Sequence, residues 1–208
     1  MKRSLIALTL AAALPFAAST AFAADGLNYN YVEGGYAATN LDNDNDDIDA
    51  DGLGLNASFA IAPNFHLFGG FTAQESDEFD FAGERVETDV NQWRAGVGYN
   101  LGIADRTDLV ARLAYEKVEV DDISVGGVDY DVNEGDDGYS AEVGVRSALT
   151  ANLEGHALAG YQDFGDDRDD FYARLGAQWK FNPNWGISGD VKLADGGSEW
   201  FIGPRFSW

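Results

Sequence analysis

The sequence predicts an all-β protein, a transmembrane, antiparallel, up-and-down β-barrel of ten strands. Three observations carry that reading. Apolar and polar residues alternate with a period of two in ten segments, short turns alternate with long acidic connections, and aromatic residues gather at both ends of the apolar faces.

At the N-terminus, Lys2 and Arg3 precede a short apolar run from Leu5 to Phe16, and Ala21-Phe22-Ala23 supplies the small residues read by a signal peptidase. Residues 1–23 are therefore expected to be a signal peptide cleaved after Ala23, with 24–208 forming one barrel domain. That run is too short to span a bilayer, and no later run reaches the roughly 18 apolar residues of a membrane helix. The chain has no cysteine, which excludes disulfides and thiol chemistry. Its formal charge of −23 argues against nucleic acid, whose phosphates need basic patches. Yet 13% aromatics and 25 glycines do not suit a disordered acidic chain.

The strands are expected near 29–38, 51–62, 65–75, 92–101, 108–118, 139–149, 153–163, 171–181, 185–194 and 199–208. In the eighth, Phe171, Ala173, Leu175, Ala177, Trp179 and Phe181 alternate with Tyr172, Arg174, Gly176, Gln178 and Lys180. Short turns carry Ala62-Pro63-Asn64, Gly102 to Thr107, Thr150-Ala151-Asn152 and Asn182-Pro183-Asn184. Long acidic loops lie at 39–50, 76–89, 119–138 and 164–170. Two of them continue as hairpins past the membrane, with Phe79 and Phe81 leading to Ala82-Gly83, and Val118 to Val125 leading to Gly126-Gly127. If two weak segments were loop extensions, the count would be eight.

One aromatic belt comprises Phe71, Trp93, Tyr115, Tyr139, Tyr161, Phe171 and Trp200, the other Phe59, Phe65, Tyr99, Phe181, Trp185 and Trp208. The chain ends on Gly203-x-x-Phe206-x-Trp208, a pattern like the C-terminal signal read by the outer-membrane assembly machinery, with Phe201 where a polar residue is usual. An outer-membrane protein in contact with lipid and lipopolysaccharide follows.

Strand parity sorts the charges. Arg94, Arg112, Arg146, Arg174, Lys180, Lys192 and Arg205 face inward with Glu33, Glu142, Glu154 and Asp190, which predicts a locally cationic lumen under an anionic rim. Glu33, Arg94, Arg112, Glu142, Arg146, Arg174, Lys192 and Arg205 are the candidates for an interior charge network or a constriction. Inward glycines such as Gly54, Gly70, Gly96, Gly98, Gly160 and Gly176 leave room beside the long side chains. Asp42, Asp44 and Asp46 open a weak calcium-loop pattern, but Asp47 stands at its glycine position and Leu53 at its glutamate position. Divalent cations at the acidic loops are the most this pattern supports. No cofactor is expected.

Catalysis needs a base beside an acid or nucleophile. Only His66 and His156 are available, both near short turns, and both read as hydrogen-bonded interior residues; an enzyme is not expected.

Tyr29-Asn30-Tyr31-Val32-Glu33, Pro63-Asn64-Phe65-His66, Gly138-Tyr139-Ser140-Ala141-Glu142, Asn184-Trp185-Gly186 and Gly203-Pro204-Arg205-Phe206-Ser207-Trp208 recur in order in one family. The chain resembles the short outer-membrane barrel proteins of xanthomonad bacteria that carry the labels "diffusible signal factor" or activator of plant immunity. The resemblance implies an outer-membrane and vesicle protein linked to biofilm formation and motility. Nothing in these residues supports a diffusible signal. The expected function is a non-enzymatic barrel whose acidic outer loops serve surface interaction or envelope integrity. The alternative is a narrow passive pore lined by Arg94, Arg112, Arg146, Arg174 and Arg205.

Overall fold

In the computed structural model, the described residues are 24, 26–41, 48–76, 79–81, 84–125, 128–165 and 168–208, with backbone alone at 48, 79–81, 84–87, 121–125 and 128–134. The expected signal peptide and the Asp42, Asp44 and Asp46 loop lie outside them.

Among the described residues, eleven strands run in chain order: β1 Tyr31–Leu41, β2 Ile48–Ala62, β3 Phe65–Ser76, β4 Phe79–Phe81, β5 Glu84–Ala104, β6 Thr107–Val125, β7 Val128–Ala148, β8 Leu153–Asp163, β9 Asp169–Lys180, β10 Trp185–Ala194 and β11 Gly197–Ser207. All pairings are antiparallel. β3 pairs directly with β5, and β1 closes the sheet on β11 through Glu33↔Arg205 and Tyr31↔Ser207. Ten strands therefore form the barrel, not eight. Strand β4 is a short hairpin arm on β5, where Phe79 pairs with Val86. Closure leaves no unpaired backbone edge against lipid, where each unsatisfied group would cost several kcal/mol.

Burial is inverted relative to a water-soluble core. Leu53 is 72% exposed and Phe171 76%, while His66 and Asp108 are 0% exposed. The apolar parity faces out and the polar parity in, as lipid as solvent requires. The belts are built from cross-strand aromatic partners. Phe71 meets Trp93 at 4.2 Å, Tyr115 meets Tyr139 at 5.6 Å and Tyr161 meets Phe171 at 5.0 Å toward the long loops, and Phe65 meets Tyr99 at 5.0 Å toward the short turns. Such pairs add to the amphipathic preference of the rings for the interface.

Past the long-loop belt, β5, β6 and β7 stay paired. Their ladders reach Val86↔Val125 and Val125↔Val128, with register shifts at Thr88/Val90 and Val120/Asp122. The ten steps from Tyr115 to Val125 rise about 34 Å along the strand at roughly 3.4 Å each. The barrel thus carries a one-sided sheet that projects beyond the membrane. Valine and isoleucine alternating with acidic residues favour continued strand over loop here.

Candidate functional site: the charged lumen

Each inward strand position contributes one side chain to the lumen, so residues remote in sequence meet there in layers. Glu142 on β7 is the main acceptor. It receives Arg174 Nε at 2.9 Å and the Tyr172 hydroxyl at 3.0 Å, with Arg94 at 3.4 Å and Arg112 at 3.7 Å. The other arm of Arg174 reaches Asp190 at 2.6 Å, and Asp190 also holds His156 Nε2 at 2.7 Å. Nearer the short turns, Arg205 donates to Glu33 at 2.5 Å and Ser188 to the same oxygen at 2.6 Å. Arg146 grips Glu154 through Nε (3.1 Å) and Nη2 (2.6 Å), and Lys180 joins Glu154 from the other side. Toward the long loops, Lys192 bonds Glu199 at 2.8 Å and Arg94 also reaches Glu116 at 3.4 Å.

All eight residues singled out from the sequence therefore lie in ion pairs. The expected excess of positive charge does not hold. Glu116, Glu199 and Asp108 also face inward, as the same parity rule places them. Their addition matches the basic residues with acidic ones.

Aromatic rings complete the filling. Arg94 and Arg112 each lie 5.3 Å from the Phe68 ring centre, Arg205 lies 4.0 Å from that of Tyr31, and Arg146 lies 4.7 Å from that of Tyr29. Such stacking suits guanidinium removed from water. Phe201 also points in, against Gly54.

The inward glycines do not leave open space. A Cβ added at Gly98 would stand 2.1 Å from His66, at Gly160 2.3 Å from Tyr172, and at Gly176 2.3 Å from His156. His66, Tyr172 and His156 are the direct cross-strand partners of those glycines, so each ring lies down over the gap beside it. His156 reaches Asp190 across Gly176 in this way, a pairing 34 residues apart that the sequence spacing did not show. His66 is stacked on Tyr29 at 4.6 Å.

A cavity of about 140 Å³ remains between Tyr31 and Arg146 at one end and Thr39, Gln74 and Glu199 at the other. That is below the roughly 300–1,000 Å³ of small-molecule pockets. The short-turn mouth is covered by the chain preceding β1. Tyr29 is buried with Val110 and Leu158, and Leu27 and Ala60 pack against them. Lys180 donates to the Gly26 carbonyl at 2.7 Å, and Asn28 donates to the Trp208 carbonyl at 3.0 Å, tying the strap to the last residue of the chain.

At the C-terminal end, a Cβ on Gly203 would stand 2.2 Å from the Gly34 carbonyl, so β1 and β11 approach closely there. Trp185 meets Phe206 at 5.0 Å, and Phe206 meets Trp208 at 6.2 Å, within the short-turn belt.

The family model described as outer membrane protein beta-barrel domain matches residues 8–181. The chain belongs to this family. The translocator domain of the autotransporter NalP from Neisseria meningitidis is similar in fold, with a TM-score of 0.54 and 13% identity over 88% of this chain and 90% of that one. The transport unit of the autotransporter AIDA-I from Escherichia coli gives 0.49 and 11% over 99% and 97%. Ail, the attachment invasion locus protein of Yersinia pestis, gives 0.46 and 14% over 88% and 100%. At these identities the likeness is of fold alone. No curated protein matches the sequence. The first and last residues of the barrel and the strap lie together at the short-turn end, opposite the long hairpins.

Proposed function

We propose that this outer-membrane barrel is a closed, non-enzymatic envelope protein whose lumen charges fix its shape and whose acidic external hairpins carry its interactions. One observation carries the reading. Every inward cation among the eight candidates has an acidic partner, and the periplasmic mouth is strapped shut. Charges removed from water are tolerated when paired and hydrogen-bonded, and a paired interior rigidifies a barrel that side chains can fill.

The external sheet would meet lipopolysaccharide, with divalent cations bridging its carboxylates to lipid phosphates. Cleavage after Ala23 delivers the chain to the periplasm, and Gly203, Phe206 and Trp208 present the assembly signal. The resemblance to the xanthomonad barrels supports a role in biofilm and vesicle surfaces.

The decisive experiment is planar-bilayer recording of the refolded protein, for which no reproducible single-channel steps are expected. The second reading, a narrow pore, is favoured by the five arginines around the internal cavity. Single-channel steps whose ion selectivity reverses in Arg112→Glu or Arg146→Glu would establish it and overturn the closed barrel.

A further inference from the structure

Asp108 is the second residue of β6 and is 0% exposed. A carboxylate removed from water is costly without a cation beside it. Among the described residues no basic side chain takes that place. Its cross-strand partner Arg146 turns to Glu154, and Lys180 serves Glu154 and the Gly26 carbonyl. Instead, both Asp108 oxygens are taken by the strap. Oδ1 accepts from the Ala24 main-chain nitrogen at 2.9 Å, and Oδ2 accepts from the Tyr29 hydroxyl at 2.9 Å. Ala24 itself is 8% exposed. The chain turns back on itself there, through a Leu27 N to Ala24 O bond of 3.1 Å and a left-handed Gly26 at φ +87°.

We infer that the Ala24 nitrogen is the missing cation: the new N-terminus made by processing is an ionic lock on Asp108 that seals the periplasmic mouth. Water cleaves the Ala23–Ala24 amide, the C–N bond breaks, Ala23 departs as a carboxylate, and the Ala24 nitrogen takes up a proton to become an ammonium. A neutral amide donor thereby becomes a charged one at the same site, and a charge-assisted bond is roughly twice as strong. Small size at position 24 suits its burial under the barrel. The two basic groups the strap lies beside, Arg146 and Lys180, are both engaged with Glu154. The lock rests on the cleavage site proposed above, and the two are separately testable.

The protein is purified from outer membranes and its N-terminal residue is determined by mass spectrometry, with Ala24 expected. Its α-amine is then labelled with an amine-acylating reagent at neutral pH. In the native barrel, labelling is expected to be about tenfold slower than in the urea-unfolded chain, the factor that a charge-assisted bond of roughly 1.5 kcal/mol supplies. Asp108→Asn is expected to remove most of that protection. As a measurement that needs no variant, ¹⁵N-labelled Ala24 is titrated in micelles. Its amine is expected to lose its proton about one unit above the ordinary 7.7–8.0. An N-terminus other than Ala24 overturns the cleavage site and the lock together. An Ala24 terminus with ordinary titration, or with protection unchanged in folded Asp108→Asn, overturns the lock and leaves the cleavage site standing.

Discussion

At the residue scale, the lumen is a set of linked acceptors rather than a row of independent pairs. The Glu142 side chain is 1% exposed and meets three arginines. Glu142→Gln takes from Arg112 its carboxylate and leaves Arg94 with Glu116 and Arg174 with Asp190 alone, and should cost on the order of 3–5 kcal/mol, as breaking a buried ion pair does. Urea unfolding in micelles, followed by heat-modifiable gel mobility, measures it, and a loss below about 1 kcal/mol would be inconsistent with a hub role. Packing between rings and glycines is a separate determinant. Gly98→Ala places a methyl group against the His66 ring and should cost about 1–3 kcal/mol as overpacking. His66→Ala in the same chain should recover part of that loss. Purely additive effects in the double variant would show that the two sites do not touch.

At the element scale, the external sheet is held by ladders that no barrel closure supports, so its contacts with neighbouring loops matter. Asp136, at the base of the β7 extension, takes both arms of Arg168 from the β8–β9 connection, one at 2.9 Å. The hydrogen bond from Arg168 holds the Asp136 carboxyl below its ordinary range. Because the folded value is the lower one, this tie is fully present above the ordinary aspartate value of about 4 and is lost as pH falls through the depressed value. Limited proteolysis of the intact barrel at falling pH should therefore show the 164–170 connection becoming more susceptible below about pH 4, using an acid-active protease. The Asp136→Asn variant should show that susceptibility at neutral pH as well. Equal cleavage of both proteins at neutral pH would remove the tie from the account.

At the scale of the whole molecule, charge is partitioned. The lumen pairs its basic residues internally, so the chain's excess of acidic residues is expressed chiefly in the long loops. An anionic rim beside anionic lipopolysaccharide is repulsive unless divalent cations intervene. Binding of the refolded protein to lipopolysaccharide micelles should fall several-fold on chelation and return with calcium or magnesium. Binding unchanged by chelation would rule the bridging role out.

Much of this was legible in the sequence because the bilayer imposes a simple rule. A strand between lipid and lumen must alternate, so the parity of Phe171 to Phe181 declares both its fold and its outward face. The same rule places Arg94, Arg112, Arg146, Arg174 and Arg205 inside, and at the strand ends Glu116, Glu199 and Asp108 as well. Parity says which face a residue takes and nothing about which neighbour it meets. Partners depend on register between strands and on closure of the barrel, which bring Glu33 to Arg205 and His156 to Asp190 over Gly176. The strap has no periodicity at all, so its seat against Asp108 could emerge only when the periplasmic mouth was built around it. The sequence by itself determined a membrane barrel with a polar interior, because alternation in lipid permits little else. The tertiary structure decided that this interior is paired, because charge neutralisation is a property of neighbours across strands and not of positions along one.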